Sequence, residues 1–367
     1  MQKIKHVLGI SGGKDSAALA IYLNNKYPQL DIDYYVCETD KELDETYKLI
    51  NSLEVYLGKS ITKLKAAENS PEAQFDHFLK LYGGYLPSSN ARWCTKKLKL
   101  EPFEKFVSDT PTISYVGIRG DEDREGYISK KPNIQSIFPF RKNIWSEEVI
   151  KSALTNNNIE IIEDLYSSIF SKENLDNVIN IVKEPLSFQY DRRKKLNDLL
   201  NSGIAEFNKV IFNFLKTQNI PVSHLEDYPL IENEDILVRD DIFRILKESG
   251  VGVPEYYQKV EYELDGQKGY YSRSRSGCFF CFFQQKIEWV WLYENHRKLF
   301  EKAISYEKDG YTWMQDERLE DLIKPERIKQ IKEDQLKKAA KNKNSKSPFL
   351  LDILEEAEGE GCAACFI

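Results

Sequence analysis

The densest concentration of chemically useful residues lies near the start of the chain, in the hexapeptide Ser11-Gly12-Gly13-Lys14-Asp15-Ser16. Glycines let backbone N–H groups turn inward without a Cβ clash, and a helix that starts after them offers unpaired amides and the positive end of its dipole. Lys14 adds a full positive charge, and the two serines add hydroxyl donors. The hexapeptide therefore predicts a phosphate-binding loop. The alternative is a glycine turn capped by serine and aspartate.

This loop is not a Walker A motif. That motif needs a glycine where Leu8 stands and a serine or threonine where Asp15 stands. Walker loops usually serve cleavage between the β and γ phosphates of a nucleotide. We therefore expect a different nucleotide chemistry at this loop.

Two further polar clusters follow predicted strands. Residues 38–40 (Glu-Thr-Asp) follow the second strand, where acidic side chains could bind ribose or adenine or hold Mg²⁺; a solvated strand end with a helix N-cap is the alternative. Arg119, Glu122 and Arg124 follow the third strand. The planar, permanently charged guanidinium of Arg119 suits the charge that develops on a reacting phosphate, and the alternative is a surface ion pair.

One cysteine, Cys94, lies in a strongly basic stretch. Positive charge lowers the pKa of a thiol and enriches the thiolate, which is a nucleophile or a metal ligand. The alternative is a structural cysteine beside Trp93. The four neighbouring cations are Arg92, Lys96, Lys97 and Lys99.

A Cys-x-x-Cys motif, Cys278 and Cys281, is flanked by aromatic residues. Such a pair can bind one metal or two corners of an iron–sulfur cluster, whereas a thioredoxin-like redox pair needs a βαβ setting that the sequence lacks here. Cys94 would bring the number of thiols to three. The fourth position stays open between Cys362 or Cys365, a group other than cysteine, and an open iron that could carry sulfide.

The remaining cysteines divide into a terminal pair and a single residue. Cys362 and Cys365 form a second Cys-x-x-Cys motif, which is a mobile sulfur carrier, a further pair of ligands or a tail without a role. Cys37 ends a predicted strand and is expected in the core.

The elements that must position these residues alternate between strand and helix. Strands are predicted at 5–10, 31–37 and 112–118, with helices at 15–25 and 43–56. This order predicts βαβ units and a parallel sheet, in which ligands bind beyond the carboxyl ends of the strands. All three polar clusters belong to that edge.

Changes in composition and in hydrophobic pattern divide the chain into regions. We predict four regions: a nucleotide-binding domain at 1–145, a helical insertion at 146–235, a cysteine-containing helical region at 236–323, and a basic then acidic tail at 324–367.

Composition narrows the class of protein. The 367 residues are 41% hydrophobic and 30% charged, which is typical of a globular protein, and no uncharged apolar run is long enough to cross a bilayer. The first residues contain only a short apolar run, Val7 to Ile10, so we expect a cytoplasmic protein with reduced cysteines and no membrane partner. The net charge of −7 argues against a nucleic-acid coat protein, although 192–195 and 324–346 are basic.

Four segments in this order resemble the phosphoadenosine phosphosulfate (PAPS) reductase-like family of PP-loop ATP pyrophosphatases. They are SGGKDS (11–16), RWCTKKLK (92–99), VGIRGDEDREGY (116–127) and SRSRSGCFFCF (272–282). The resemblance is strongest to the ATP-pyrophosphatase component of bacterial DNA phosphorothioation systems. It covers about residues 1–145 and 230–310.

The resemblance implies an α/β fold, with a parallel PP-loop sheet flanked by helices and a largely helical insertion and C-terminal region. It also implies roles for individual residues. Ser11, Gly12, Gly13, Lys14, Asp15 and Ser16 would hold pyrophosphate. Glu38 and Asp40 would lie near the nucleoside, Lys14, Asp15 and Arg119 would be catalytic, and Cys94, Cys278 and Cys281 would ligate a [4Fe–4S] cluster. The chain departs from the family pattern at Gln284 and Gln285, where a fourth cysteine is expected.

The implied activity is ATP-dependent sulfur insertion in anti-phage defence. ATP with Mg²⁺ would adenylate an acceptor, a DNA backbone phosphate, and sulfur from a cysteine desulfurase would then displace AMP. Other phosphorothioation proteins would be partners. The alternatives are a PAPS or adenosine phosphosulfate reductase that uses Cys362 or Cys365 in its tail, a tRNA thiolase, and a non-catalytic nucleotide-sensing subunit of a defence complex.

Overall fold

A parallel sheet of five strands forms the centre of the computed structural model, which describes residues 3–124, 129, 131–169 and 172–344. The strands are β1 (Lys5–Gly9), β2 (Ile32–Cys37), β3 (Thr62–Leu64), β4 (Thr112–Tyr115) and β5 (Ile134–Ile137). Their order across the sheet is β3-β2-β1-β4-β5, and every neighbouring pair is parallel. The predicted α/β class is confirmed. The chain reverses its direction of travel across the sheet between β1 and β4, which is where such folds bind ligands.

Helices cover the sheet in the first part of the chain. They are α1 (Lys14–Lys26), α2 (Asp44–Leu57), α3 (Gln74–Leu81), α4 (Trp93–Thr95) and α5 (Glu101–Val107), with a π-helical turn (Lys96–Leu100) joining the last two. The two helices predicted here agree with α1 and α2 to within a residue at each end. The third predicted strand ends at Tyr115 rather than at residue 118. Two strands were missed because β3 has three residues, two of them exposed, and β5 has the half-polar sequence IQSI.

The segment predicted as a helical insertion is helical, and it shares the core of the sheet. Its helices are α6 (Glu147–Ala153), α7 (Ile159–Ile169), α8 (Lys172–Lys183), α9 (Arg192–Ser202) and α10 (Ile204–Leu215). Leu199, Phe207 and Ile211 belong to the same hydrophobic cluster as Leu8 and Ile113 of the central strands. The segment 146–235 therefore contributes to the hydrophobic core on one face of the sheet.

The region 236–323 is not wholly helical, which corrects that expectation. Asp265 and Gly266, both with positive φ (48° and 77°), connect two antiparallel strands in a two-residue turn. An Asp-Gly pair favours this turn because it tolerates left-handed backbone at both positions. The elements of this part of the chain are α11 (Arg239–Glu248), β6 (Val260–Leu264), β7 (Gln267–Tyr271), α12 (Lys286–Asn295), α13 (Arg297–Tyr306), α14 (Leu319–Leu322) and α15 (Pro325–Asn344).

A second, aromatic core lies under this C-terminal part. Phe280 stacks on Trp313 with ring centroids 4.7 Å apart and contacts Phe75 at 4.4 Å. Phe75 in turn stacks on Trp93 at 5.2 Å. These contacts join the neighbourhoods of Cys94 and of the Cys-x-x-Cys motif.

None of the helices within the described ranges is both long and apolar enough to cross a membrane. Cys362 and Cys365, together with the end of the basic stretch and the acidic run, lie outside the described residues.

Candidate functional site

The predicted phosphate loop joins β1 to α1. Gly12 has φ +74°, and a Cβ there would lie 2.2 Å from Cγ2 of Thr46. A Cβ on Gly13 would lie 2.7 Å from Oγ of Ser276. Both positions therefore demand glycine, the first for its backbone angle and both for close approach. On the other side, Gly117 packs closely enough that a Cβ would be 3.0 Å from the carbonyl oxygen of Asp15.

Three amides of the loop already face hydroxyl oxygens. Ser11 N–H donates to Oγ of Ser16 at 3.1 Å, Gly13 N–H to Oγ of Ser11 at 3.4 Å, and Lys14 N–H to the hydroxyl of Tyr257 at 3.4 Å. Two of these contacts are long and weak. The loop therefore turns its amides towards oxygen acceptors, as a phosphate-binding turn must.

The charged residues of the loop form a buried network. Nζ of Lys14 lies 3.0 Å from Oδ2 of Asp15, whose other oxygen lies 3.0 Å from Nη1 of Arg119. Arg119 also pairs with Asp121 at 2.9 Å and with Glu122 at 2.8 Å. Arg119 is only 1% exposed, so the alternative of a surface ion pair is wrong.

Burial and charge oppose each other in this network. Burial alone would raise the pKa of Asp15, but the charges of Lys14 and Arg119 outweigh it and hold that pKa below its ordinary value. For Glu122 the balance is reversed, because burial raises its pKa in spite of Arg124 and Arg119.

Two adjacent tyrosines that sequence reasoning missed lie over the loop. The hydroxyl of Tyr256 donates to the carbonyl oxygen of Gly12 at 2.8 Å, and the ring of Tyr257 lies 5.2 Å from Nζ of Lys14. Their only sequence signal is their adjacency after Pro254, and their sequence separation from the loop is more than 240 residues.

The acidic residues after β2 are partly engaged in structural contacts. Oε1 of buried Glu38 accepts hydrogen bonds from the hydroxyl of Tyr47 at 3.0 Å and from the amide of Asp40 at 3.3 Å. Oδ2 of Asp40 accepts from the amide of Gln74, the first residue of α3, at 2.8 Å. Asp40 therefore caps a helix, as the alternative predicted, but the helix is α3 and not the one that follows β2 directly. Contact with a nucleoside stays a prediction for Glu38 and Asp40.

The three cysteines predicted as ligands line one pocket. Cys94 comes from α4, while Cys278 and Cys281 come from the loop before α12. The other lining residues are Thr39, Phe75, Pro87, Thr95, Leu98, Lys99, Gly277, Phe280, Phe282, Phe283 and Trp313. The structure thus brings together thiols that are more than 180 residues apart in sequence.

Within this pocket burial favours the protonated form of the Cys278 thiol. Burial raises its pKa well above the ordinary value, and the negative charge of Glu42 acts in the same direction. Its Sγ lies 3.4 Å from Oγ1 of Thr39 and 3.7 Å from Oε1 of Glu42. Cys37 is a core thiol, as expected, and burial raises its pKa to about 12.

The cysteine pocket offers three sulfur donors for a metal group. In the described part of the chain no three His, Cys, Asp or Glu side chains surround a point where a metal ion could sit. The three thiols nevertheless are the type of ligand that an iron–sulfur cluster requires, and they line one pocket that several aromatic side chains also line.

One short segment connects the phosphate loop to the cysteine pocket. Ser276 contacts Gly13, and Cys278 and Cys281 follow within five residues. Gly277 adopts φ +119°, and the buried guanidinium of Arg273 donates to the carbonyl oxygens of Gly277 (3.3 Å) and Cys278 (3.1 Å). The position of the two thiols relative to the predicted phosphate loop therefore depends on residues 276–281.

Residues 5–172 match the family model of the phosphoadenosine phosphosulfate reductase domain. This part of the chain, a little under half of it, is similar to that domain. Enzymes of this family act on nucleotides, which agrees with the turned amides and buried cations of the loop. The match extends past residue 145, where the sequence predicted the end of the nucleotide-binding domain, into the helices that share the core of the sheet.

One curated relative is an uncharacterized protein of Methanocaldococcus jannaschii, 34% identical over 160 residues. The alignment covers 39% of this chain, and the chain spans about a third (32%) of the length of that relative.

Proposed function

We propose that the protein is an ATP pyrophosphatase that adenylates an acceptor oxygen so that sulfur can replace it, with a DNA backbone phosphate as the acceptor. The observation that carries this proposal is the segment from Ser276 to Cys281, which begins against the phosphate loop and ends in the cysteine pocket. The site that activates the acceptor and the site that supplies sulfur must be close together, because an adenylated phosphate that left the first site would be hydrolysed before it reached the second.

In the proposed first step the acceptor oxygen attacks the α-phosphorus of ATP. A new oxygen–phosphorus bond forms, the bond from the α-phosphorus to the bridging oxygen breaks, and pyrophosphate leaves. The amides of residues 11–14 and the ammonium of Lys14 would hold the departing pyrophosphate. For this, Tyr257 must release the amide of Lys14, and Lys14 must exchange Asp15 for phosphate oxygens.

Arg119 would complete the charge balance in this step. Its guanidinium is buried against Asp15 and Glu122, so it is held in place before the nucleotide arrives. A fixed cation stabilises developing negative charge without a reorganisation cost. Mg²⁺ bound to the triphosphate would need only one or two protein carboxylates, and Glu38 is the candidate.

The second step would use the cysteine pocket. Sulfur at the oxidation level of sulfide, from a cysteine desulfurase and a thiol reductant, would bond to the acceptor phosphorus as AMP leaves with the former acceptor oxygen. Cys94, Cys278 and Cys281 would hold a [4Fe–4S] cluster, which supplies an iron that can carry sulfide. The aromatic walls of the pocket would exclude water from that sulfur.

The experiment is a pyrophosphate-release assay with ATP, Mg²⁺ and oligonucleotide, which compares the wild type with Lys14→Ala. We expect at least a hundredfold loss, since removal of one preorganised donor costs about that much. The matched control is Lys48→Ala, which removes an exposed lysine of α2 and should keep full activity. An unchanged rate in Lys14→Ala would contradict the proposal.

A second candidate, reduction of a sulfonucleotide, is favoured by the family match. It predicts turnover of PAPS or adenosine phosphosulfate with a thiol reductant and without ATP. The same preparation can be given both substrates. Pyrophosphate release without sulfonucleotide turnover supports the first candidate, and the opposite pattern supports the second.

A further inference from the structure

Three partly exposed tyrosines cluster on the surface beside the cysteine pocket. Tyr82, Tyr85 and Tyr311 are 38%, 39% and 40% exposed. The rings of Tyr85 and Tyr311 meet edge to face at 5.2 Å, and the ring of Tyr82 lies 5.2 Å from that of Trp93. Neighbouring exposed rings of this kind are a common feature of binding surfaces.

This cluster is continuous with the pocket wall. Trp93 precedes Cys94, and its indole N–H donates to the carbonyl oxygen of Tyr85 at 3.0 Å. Pro87, two residues after Tyr85, lines the pocket itself. A ligand lying across the tyrosines therefore reaches the mouth of the cysteine pocket.

Cations are interleaved with the rings. Nζ of Lys308 lies close to Gly84, which stands between Tyr82 and Tyr85 in sequence; a Cβ on Gly84 would be 2.5 Å from it. The backbone of Lys308 pairs with that of Tyr311. The guanidinium of Arg92 lies 5.0 Å over the ring of Phe283, a pocket residue. Lys96 is exposed two residues after Cys94.

These cations are available for an anionic ligand. Within the described ranges no carboxylate forms an ion pair with Arg92, Lys96 or Lys308. The nearby carboxylates are already engaged, Glu101 with Lys97 at 2.7 Å and Asp309 with Arg318 at 3.1 Å. The surface therefore combines exposed rings with uncompensated positive charge in a protein whose net charge is −7.

We propose that this surface, the tyrosine face (Tyr82, Tyr85, Tyr311, Arg92, Lys96 and Lys308), binds single-stranded nucleic acid and leads its backbone to the cysteine pocket. Bases stack on aromatic rings whatever their sequence, and lysine and arginine pair with the phosphates between them. A duplex hides the faces of its bases, so it cannot use the rings. The proposal deepens the proposed function, on which it rests, by naming the form in which the acceptor arrives.

The test measures fluorescence anisotropy of a labelled 20-nucleotide DNA strand with the full chain and no nucleotide present. Wild type should bind the strand at least tenfold more tightly than the same sequence as a duplex. A parallel RNA strand shows whether the sugar is distinguished. Unlabelled poly-glutamate should compete poorly; equal competition would mean that the surface recognises charge alone and would overturn the stacking proposal.

Variants separate rings from charges. Tyr85→Ala with Tyr311→Ala should weaken binding at least tenfold, as expected for the loss of one or two stacked bases, whereas Tyr85→Phe with Tyr311→Phe should stay within about twofold. Lys96→Ala with Lys308→Ala should reduce the slope of log affinity against log salt by about 1.4, which is 0.7 for each lost phosphate contact. Phe188→Ala and Lys151→Ala, exposed residues elsewhere, are the matched controls.

The outcomes also separate this inference from the proposed function. Strand binding that depends on the tyrosines, in a protein that releases no pyrophosphate, would support the tyrosine face and contradict the proposed activity. Pyrophosphate release without strand binding would support the proposed activity and contradict the tyrosine face. Unchanged affinity in the double tyrosine-to-alanine variant would overturn the tyrosine face in either case.

Discussion

At the scale of single residues, the phosphate loop depends on a balance between burial and charge at Asp15. Its carboxylate lies between the cations of Lys14 and Arg119, each 3.0 Å away. Neither cation has much access to water, since Lys14 is 3% and Arg119 1% exposed. The carboxylate therefore offsets the charges of two buried cations.

Asp15→Asn should destabilise the protein at neutral pH by about 3 kcal/mol, because it removes the charge of a buried carboxylate that pairs with two buried cations. The pKa of Asp15 is lowered in the folded state, so its stabilisation is complete above the unfolded value of 3.8 and is lost as pH falls further. The difference in unfolding free energy between wild type and variant should thus be constant from pH 7 to about 4 and shrink below. Urea unfolding across this range measures it.

The control for this prediction is Asp33→Asn. Asp33 is exposed and lies 3.7 Å from Lys5, so its loss should cost no more than about 0.5 kcal/mol. A difference for Asp15→Asn that stays the same at pH 3 would show that its carboxylate is not held in the ionised form.

The contact between Gly13 and Ser276 is the second residue-scale prediction. Gly13→Ala should cost about 1–3 kcal/mol, because the new Cβ would lie 2.7 Å from Oγ of Ser276. Adding Ser276→Ala removes that oxygen and should recover much of the loss. A double-mutant cycle by thermal or urea unfolding should give a coupling of about 1 kcal/mol. Strict additivity, as expected for the distant pair Gly13→Ala and Ser202→Ala, would place the two segments apart.

At the scale of elements, the loop before α12 carries two thiols and is held by aromatic packing. Phe280 lies between Cys278 and Cys281 and stacks on Trp313, the residue that also walls the pocket. Its backbone is held by Arg273, which donates to the carbonyl oxygens of Gly277 and Cys278, and by the amide of Phe279, which donates to the carbonyl oxygen of Lys41.

Trp313→Ala should therefore open the pocket. Loss of the buried indole should cost about 3–5 kcal/mol, and alkylation of Cys278 by iodoacetamide should become at least several-fold faster. Peptide mass spectrometry measures the rate at each cysteine, with Cys37, in a separate core cluster, as internal reference. Trp313→Phe, which keeps a ring, should show a smaller effect. Equal acceleration at Cys37 and Cys278 would indicate general unfolding and contradict a local role.

At the scale of the whole molecule, the helices of residues 146–235 are not an appendage. Their buried side chains share one hydrophobic cluster with β1, α1 and β4. A fragment that ends at residue 145 would expose the apolar side chains of β1, α1 and β4 that belong to this shared cluster. Exposed apolar patches of this kind make isolated fragments associate or unfold.

We predict that the fragment 1–145 does not form a stable monomer, whereas a chain cut after residue 344 does. The first loses part of the shared core, and the second loses only residues that follow α15. Size-exclusion chromatography with circular dichroism melting distinguishes them. A cooperative, monomeric fragment 1–145 would show that the predicted boundary at residue 145 marks an independent domain.

Elements with local signals could be predicted from the amino-acid sequence alone. The hexapeptide at 11–16 has its glycines, its lysine and the strand and helix around it within one short stretch, and the alternation of strand and helix determined the parallel sheet. The Asp-Gly turn of the β6–β7 hairpin was equally local and was overlooked. The short strands β3 and β5 have too little periodicity to be found, because what holds them is the neighbouring strand.

Contacts between residues far apart in sequence, by contrast, became apparent in the folded chain alone. It set Ser276 and the two tyrosines against the phosphate loop, brought Cys94 to the Cys-x-x-Cys motif, and buried Arg119. It also engaged one oxygen of Asp40 at the start of α3 and put helices of the predicted insertion into the core of the sheet. The physical reason is that such contacts depend on the closure of long loops and on side-chain packing, and neither leaves a pattern in the residues adjacent in sequence.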